Sequence, residues 1–330
     1  MRATGIGRAL LLLAALVSAL ALCACDKSEA TVLLIFSYHA EYPWHVEEAR
    51  GAEEVLHHEG VRYETFYLDT KRHADTEWKE RIAAEAAERI EDSEPSLVIV
   101  FDDNACALVA RHYVGEALPF VFCGVNADPA EYGFPAVNVT GVLERPDLKG
   151  SAELLRQLMR SVEDVALLLD ASPSAEGFAE GIEDEPLPVE IAAVYLTDDF
   201  AEWQAKVVEV QSKADAVGLF TYHTIRRQGE EESMSPDEVL RWTLENSTIP
   251  EFATLDFTIE GGALCGVVLS AYEQGKTAAE IAIRILAGEA PSNIPMAIPQ
   301  ATRAMVNATR AAQLGIEIPE DILAEIELVD

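Results

Sequence analysis

The stretch Val121 to Gly141, VFCGVNADPAEYGFPAVNVTG, decides how the chain is read. The apolar run Pro119 to Cys123 leads into it, and such runs form strands buried on both faces of a parallel sheet. The run breaks at Gly124 and Asn126, where the backbone can turn and polar groups begin. In an open α/β sheet the loops after the carboxyl ends of strands line the ligand crevice, which sends Asn126 and Asp128 toward a pocket. After Pro129, Gly133 and Pro135, the short run Val137 to Thr140 leaves for new sequence. The stretch predicts a strand tip on a cleft, followed by the chain crossing from one lobe into another.

Upstream, the same alternation repeats. Val32 to Phe36 reads as a strand, and a helix follows from about His45 to Glu59 with Val46, Ala49, Ala52 and Leu56 toward the sheet. Tyr63 to Leu68 is a second strand, and Asp69 to Arg72 a solvated turn. Asp75 or Thr76 caps a helix whose face is Trp78, Ile82, Ala86 and Ile90, and Leu97 to Phe101 is a third strand. Downstream the pattern restarts. The strands are Asp164 to Leu169, Val189 to Tyr195, Ala216 to Phe220 and Phe252 to Leu255, with helices between them. The last of those helices, Pro236 to Asn246, carries a Ser235 to Glu238 capping box. Strands alternating with helices define an α/β protein of two doubly wound parallel-sheet lobes, and two such lobes enclose a cleft. The tail, with a helix from Tyr272 to Leu286, is expected to return to the first lobe. That gives residues 31–141 plus about 268–330 for the first lobe and 142–267 for the second.

Residues 1–25 read as an export signal. Arg2 and Arg8 precede the apolar segment Ala9 to Leu22, which is too short to span a bilayer. Leu22-Cys23-Ala24-Cys25 resembles a bacterial lipobox with Cys25 as the lipidated residue. The alternative is an ordinary cleaved signal. Loss of the leader leaves 22 basic residues against 58 acidic ones, a charge of −36 that repels nucleic acid and anionic lipid. Three cysteines remain, Cys106, Cys123 and Cys265. Either Cys106 and Cys123 pair, or all three are buried apolar residues. No spacing suggests a metal site, and no motif suggests a cofactor.

Val121 to Asn126 with Asp128-Pro129, then Asn138 to Val142, resembles the strand-to-crossing segment of the ABC-transporter substrate-binding lipoproteins of periplasmic-binding type I. Tyr272 to Gly275, Ile285 to Gly288, Ile294-Pro295 and Ala312 to Pro319 are similar to that family's carboxy-terminal signature. The likeness spans most of residues 31–328. Ser37-Tyr38-His39 and Tyr42-Pro43-Trp44 resemble a subgroup in which the domain also occurs on sensor kinases. Asp102-Asp103-Asn104 stands where many relatives have Thr-Pro.

Candidate ligand-binding residues all sit just past strand ends. In the first lobe they are Ser37, Tyr38, His39, Trp44, Asp102, Asp103, Asn104 and Asn126. In the second they are Ser172 and Ser174, which either offer hydroxyls or cap a helix, then Tyr222, His223, Thr224 and Asp256. Tyr272 either closes the pocket or packs at the hinge. Trp44 either stacks on a ligand or plugs the base of its helix.

The resemblance implies the solute-binding lipoprotein of an ABC importer, exported and lipid-anchored on the periplasmic or outer face of the cytoplasmic membrane. Its solute would be an amino acid, an aromatic one by family, or a sugar or nucleoside, held between the lobes. Its partners would be an ABC permease with its ATP-binding subunit, and the protein a monomer. The alternative output is a signal to a membrane histidine kinase. Enzymatic activity is not expected, because no GxSxG, P-loop or metal-spaced histidine pair is present.

Overall fold

The computed structural model describes residues 30–182, 186–300 and 302–330; the leader and Cys25 lie outside them. The first lobe is built from β1 (Thr31–Phe36), α1 (Pro43–His58), β2 (Arg62–Tyr67), α2 (Thr76–Ser93), β3 (Leu97–Phe101), α3 (Asp102–Leu108), β4 (Phe120–Val125) and β5 (Val139–Leu143). Its sheet runs β2-β1-β3-β4-β5 with every pairing parallel. β1, β3, β4 and β5 are almost wholly buried because their runs are apolar on both faces, whereas β2 lies at the edge and stays half exposed. β4 continues through Gly124 to Val125, past the expected break. Gly124 takes a φ of +69° there, and the register against β5 shifts between Phe122 and Val125.

The second lobe holds α4 (Leu148–Leu158), β6 (Asp164–Leu169), α5 (Pro173–Gly181), β7 (Glu190–Leu196), α6 (Phe200–Val210), β8 (Ala216–Leu219), α7 (Pro236–Asn246), β9 (Glu251–Ala253), α8 (Asp256–Glu260) and β10 (Cys265–Leu269). The sheet order is β12-β11-β10-β9-β8-β6-β7, so its parallel part, β7-β6-β8-β9-β10, repeats the topology of the first sheet. In both lobes the order reverses beside the first strand, between β1 and β3 and between β6 and β8. That switch point is where the loops splay apart and a crevice opens. Ser235 stands at the N-cap of α7 without a side-chain cap bond, so the expected capping box does not form.

The tail departs from expectation. α9 (Ala271–Leu286) does pack on the first lobe, where Ala278, Ile281, Ala282 and Ile285 join Val32, Leu34, Phe36 and Ile99 in one apolar cluster. β11 (Thr302–Asn307), α10 (Ala308–Leu314) and β12 (Glu327–Val329) return instead to the second lobe. β11 pairs antiparallel with β10, and β12 pairs with β11. The chain therefore passes between the lobes three times: after β5, at Ser270, and between Ala297, bridged to Val142, and β11.

The face of α1 also differs. Val46 is exposed, and the buried residues are Trp44, His45, Glu48, Gly51, Ala52 and Leu56. The helix is turned by its packing on α9. There Gly275 lies against the Glu48 carbonyl and Gly51 against that of Tyr272, and neither site has room for a Cβ. Among the described residues all three cysteines are buried and free, so Cys106 and Cys123 do not pair.

Candidate ligand-binding cleft

The loops after β1, β3, β4 and β5 face those after β6, β8 and β9. Between them lies a cavity lined by Tyr38, Tyr42, Trp44, Lys71, Asp102, Asn126 and Glu144 of the first lobe. Ser174, Phe220, Thr221 and Leu255 of the second complete the lining. Its volume is about 20 Å³, room for about one water molecule. The lobes are closed on each other. Tyr38 Oη and Ser174 Oγ are 2.9 Å apart across the gap, and Ser233 Oγ donates to the Lys71 carbonyl at 2.6 Å. Tyr42 meets His223 edge-on at 5.0 Å, and Tyr38, Tyr42 and Trp44 form an apolar cluster with Leu255 and Leu269.

Four of the predicted residues line this cavity: Tyr38, Trp44, Asp102 and Asn126. So does Ser174, one of the two serines read as hydroxyl donors or caps. His223 stands at the rim, with its ring between Tyr42 and Phe257. The others serve the frame. Ser37 Oγ donates to the Phe101 carbonyl at 2.5 Å and accepts from Ala105 N at 2.8 Å, tying β1 to the start of α3. Asp103 accepts from Asn126 N, Ala127 N and Tyr132 Oη, and Asn104 is buried in the same turn. Ser172 caps α5, and Thr224 Oγ1 donates to Asp198. Tyr222 is packed in the second lobe with its hydroxyl on Thr258 at 3.2 Å. Asp256 accepts from Arg303, the mostly buried His39 lies 3.7 Å from Asp69, and Tyr272 sits under the Arg50 guanidinium at 4.2 Å.

Lys71 is the main residue that sequence reading missed. The turn Asp69 to Arg72 was expected in solvent, yet Thr70 and Lys71 are each only 2% exposed. Lys71 Nζ lies 4.4 Å from the Tyr38 ring centre and 5.3 Å from that of Tyr42, and it has no hydrogen-bond partner. A buried ammonium over aromatic faces, with no hydrogen-bond acceptor, is short of partners. Across the gap, Asp170 collects the Ser172 and Thr221 hydroxyls and the amides of His223 and Thr224. Burial pushes its carboxyl up, but Lys71 and these hydroxyls outweigh that and hold it below the usual range.

The opposite wall is acidic. Asp102 opens α3 in the left-handed region, φ +63°, a backbone that costs a side-chain-bearing residue about 1–3 kcal/mol. Its Oδ2 lies 2.5 Å from His45 Nε2. Burial, then the neighbouring Asp103, raises its carboxyl well above the ordinary value. Burial and Asp102 do the same to Glu144, and burial holds His45 well below the imidazole range. Asn126 Oδ1 and Trp44 Nε1 are buried without partners. The wall thus offers acceptors, and Lys71 offers a donor, to one molecule lying between them.

A two-lobed α/β protein whose polar groups converge at facing switch points belongs to the periplasmic-binding class. The model of one family within it, described as ABC transporter substrate binding protein, matches residues 39–329, and the chain belongs to that family. Its members bind small solutes for an ABC permease outside the cytoplasm; it is a binding family rather than an enzyme family. No curated protein sequence matches the chain. Among solved structures it is similar to the ABC domain in complex with L-Trp from Streptococcus pneumonia, at 20% identity and TM-score 0.70, covering 91% of this chain and 99% of that one. A conserved domain protein from Vibrio cholerae matches at 18% identity and TM-score 0.71, with the same coverage. The ligand-free, open structure of a substrate binding protein with adhesive properties from Clostridium difficile matches at 18% and TM-score 0.65, again over 91% and 99%.

Proposed function

We propose that the chain is the solute-binding lipoprotein of an ABC importer, anchored through Cys25, and that its solute is an amino acid. The observation that carries this is Lys71: a buried ammonium with no acceptor, 4.4 Å from the Tyr38 ring. A solute carboxylate supplies the missing acceptor, and Asp102, Glu144 and Asn126 receive the ammonium at the other end. Tyr38, Trp44, Phe220 and Leu255 cover the side chain, which favours an aromatic or large apolar one. Sugars and nucleosides suit the acidic wall but offer Lys71 only neutral acceptors, not a countercharge. An amino acid is much larger than the present cavity, so it enters by parting of the lobes and is held as they close. The lobes are assigned as residues 31–143 with 271–297, and 148–269 with 302–329, and the protein acts as a monomer.

Thermal shift across L-amino acids, their decarboxylated amines, sugars and nucleosides tests the reading. The expected result is a Tm rise with one or a few amino acids and none with the matching amines. A response confined to sugars or nucleosides would overturn it.

A further inference from the structure

Behind the cavity wall lies a second constellation, which adds His45 and Glu48, unused in the solute reading, to Asp102 and Glu144, which line the solute cavity. α1 places His45 and Glu48 three residues apart on its buried face, where they meet Asp102 at the tip of β3. One ligand atom from each lies within 4.8 Å of the others. Nε2 of His45 is 2.5 Å from Asp102 Oδ2 and 3.7 Å from Glu48 Oε2. Glu48 is fully buried, and its Oε2 has no hydrogen-bond partner; Oε1 accepts a weak bond from Cys123 Sγ at 3.6 Å.

Gly124 shows how closely the carboxylates converge. A Cβ placed on it would stand 2.9 Å from Glu48 Oε1, 3.4 Å from Asp102 Oδ1 and 3.5 Å from Glu144 Oε2. Three acidic side chains, from α1, α3 and the segment after β5, therefore surround one point that only glycine leaves open. Among the described residues none of the three pairs with a lysine or arginine; Arg145 spends its Nη1 on the carbonyls of Val125, Asn126 and Glu144. Lys71 and Arg145 act on Asp102 and Glu144 without an ion-pair contact, and no lysine or arginine acts on Glu48; buried carboxylates so gathered demand either shared protons or a metal ion.

We propose that His45, Glu48 and Asp102, with Glu144 as a fourth donor, form a binding site for one divalent first-row cation, Zn²⁺ or Mn²⁺. One imidazole nitrogen among carboxylate oxygens is a borderline-hard donor set that suits these ions better than Mg²⁺ or Ca²⁺. The present separations bracket the ~3.4 Å between ligand atoms that a tetrahedral ion with ~2.1 Å bonds requires, so small side-chain rotations suffice. The ion would tie α1 to β3 and β5 beneath the cleft floor. The sequence expectation of no metal site rested on spacing, which does not register ligands brought together from distant elements.

The test is metal content of the full protein, stripped with chelator, reloaded with Zn²⁺ or Mn²⁺ alone and desalted. About one ion per chain is expected, with a Tm rise on loading, and Co²⁺ loading should give the visible bands of a low-symmetry nitrogen–oxygen site. His45→Ala and Glu48→Gln should each lose the ion. His73→Ala, which removes a histidine of the exposed pair at Asp69, should keep it. No retained ion and no Tm shift in the wild-type protein would overturn the proposal. Retention unchanged in both His45→Ala and Glu48→Gln would overturn it as well. Should the variants fail to fold, wild-type stoichiometry and the Co²⁺ spectrum still decide.

Discussion

Lys71 separates stability from affinity. Its ammonium has no hydrogen-bond acceptor but helps hold the buried Asp170 carboxyl below its usual range, so Lys71→Met, which keeps the stem and removes the charge, should cost the solute-free protein less than it costs the bound state. The same change should weaken amino-acid binding by about 2–5 kcal/mol, the usual effect of removing one partner of a buried charge pair. Titration calorimetry beside urea melts reads both quantities, and a variant that loses stability while keeping affinity would reverse the assignment. A second buried charge lies far from the cleft. Arg310 forks onto Glu251, Nε to Oε2 at 2.9 Å and Nη2 to Oε1 at 2.5 Å, in the second lobe. Arg310→Met strands a fully buried carboxylate and should cost about 3–5 kcal/mol at neutral pH. Burial already raises the Glu251 carboxyl despite the arginine, and its loss raises it further. A group whose folded pKa exceeds its unfolded value gives up stability as pH rises through that interval, so the deficit of the variant should shrink as pH falls toward about 4.3. Urea melts at pH 7 and pH 5 check the sign. Neither residue was legible in the sequence. Lys71 stands in a run of charged and small residues that reads as a turn in water, and only the closing of the second lobe over it makes it a site residue. The place of Tyr38, Asp102 and Asn126 at the cavity was readable because a strand end announces itself and its next residues face the crevice, whereas Trp44 reaches it from the first turn of α1.

At the scale of elements, α5 presses on the first lobe through Gly177. A Cβ there would meet Ala127 N and Cα at 2.6 Å, and neither backbone atom can move aside. Gly177→Val therefore opposes closure while lying inside a helix that gains, not loses, intrinsic propensity from the change. The expected phenotype is a folded protein with a larger radius of gyration and roughly tenfold or greater loss of apparent affinity, because only the closed fraction binds. Small-angle scattering with and without solute checks it; an unchanged radius would show that α5 is not the contact that limits closure. The parallel strands were readable because doubly covered strands are continuous apolar runs. The tail was not. β11 buries only its last three residues fully, and nothing in so short a run says which sheet it joins. The face of α1 was misread for a related reason. Its packing partner α9 lies more than two hundred residues downstream, and paired glycines rather than apolar periodicity set the contact.

The whole molecule is shaped by its charge. With 58 acidic residues against 24 basic, the full sequence carries −34, and scattered surface ion pairs, such as Arg50 with Glu47 and Arg89 with Glu64, neutralise little of it. Both lobes share the excess, so closing them brings like charges together, and the closed state is opposed at long range by what the aromatic cluster favours at short range. Screening removes the first term and leaves the second. Raising salt from about 0.05 M to about 1 M shortens the screening length to about 3 Å, less than the spacing of most exposed charges. Tm should therefore rise with salt, and affinity for a net-neutral amino acid should hold or improve, since the buried Lys71 and Asp102 are poorly reached by ions. A chain governed by its surface ion pairs would do the opposite and lose stability. Melting curves and solute titrations across a sodium chloride series distinguish the two. A fall in affinity by an order of magnitude with no change in radius of gyration would mean instead that the solute is charged and steered in by the field.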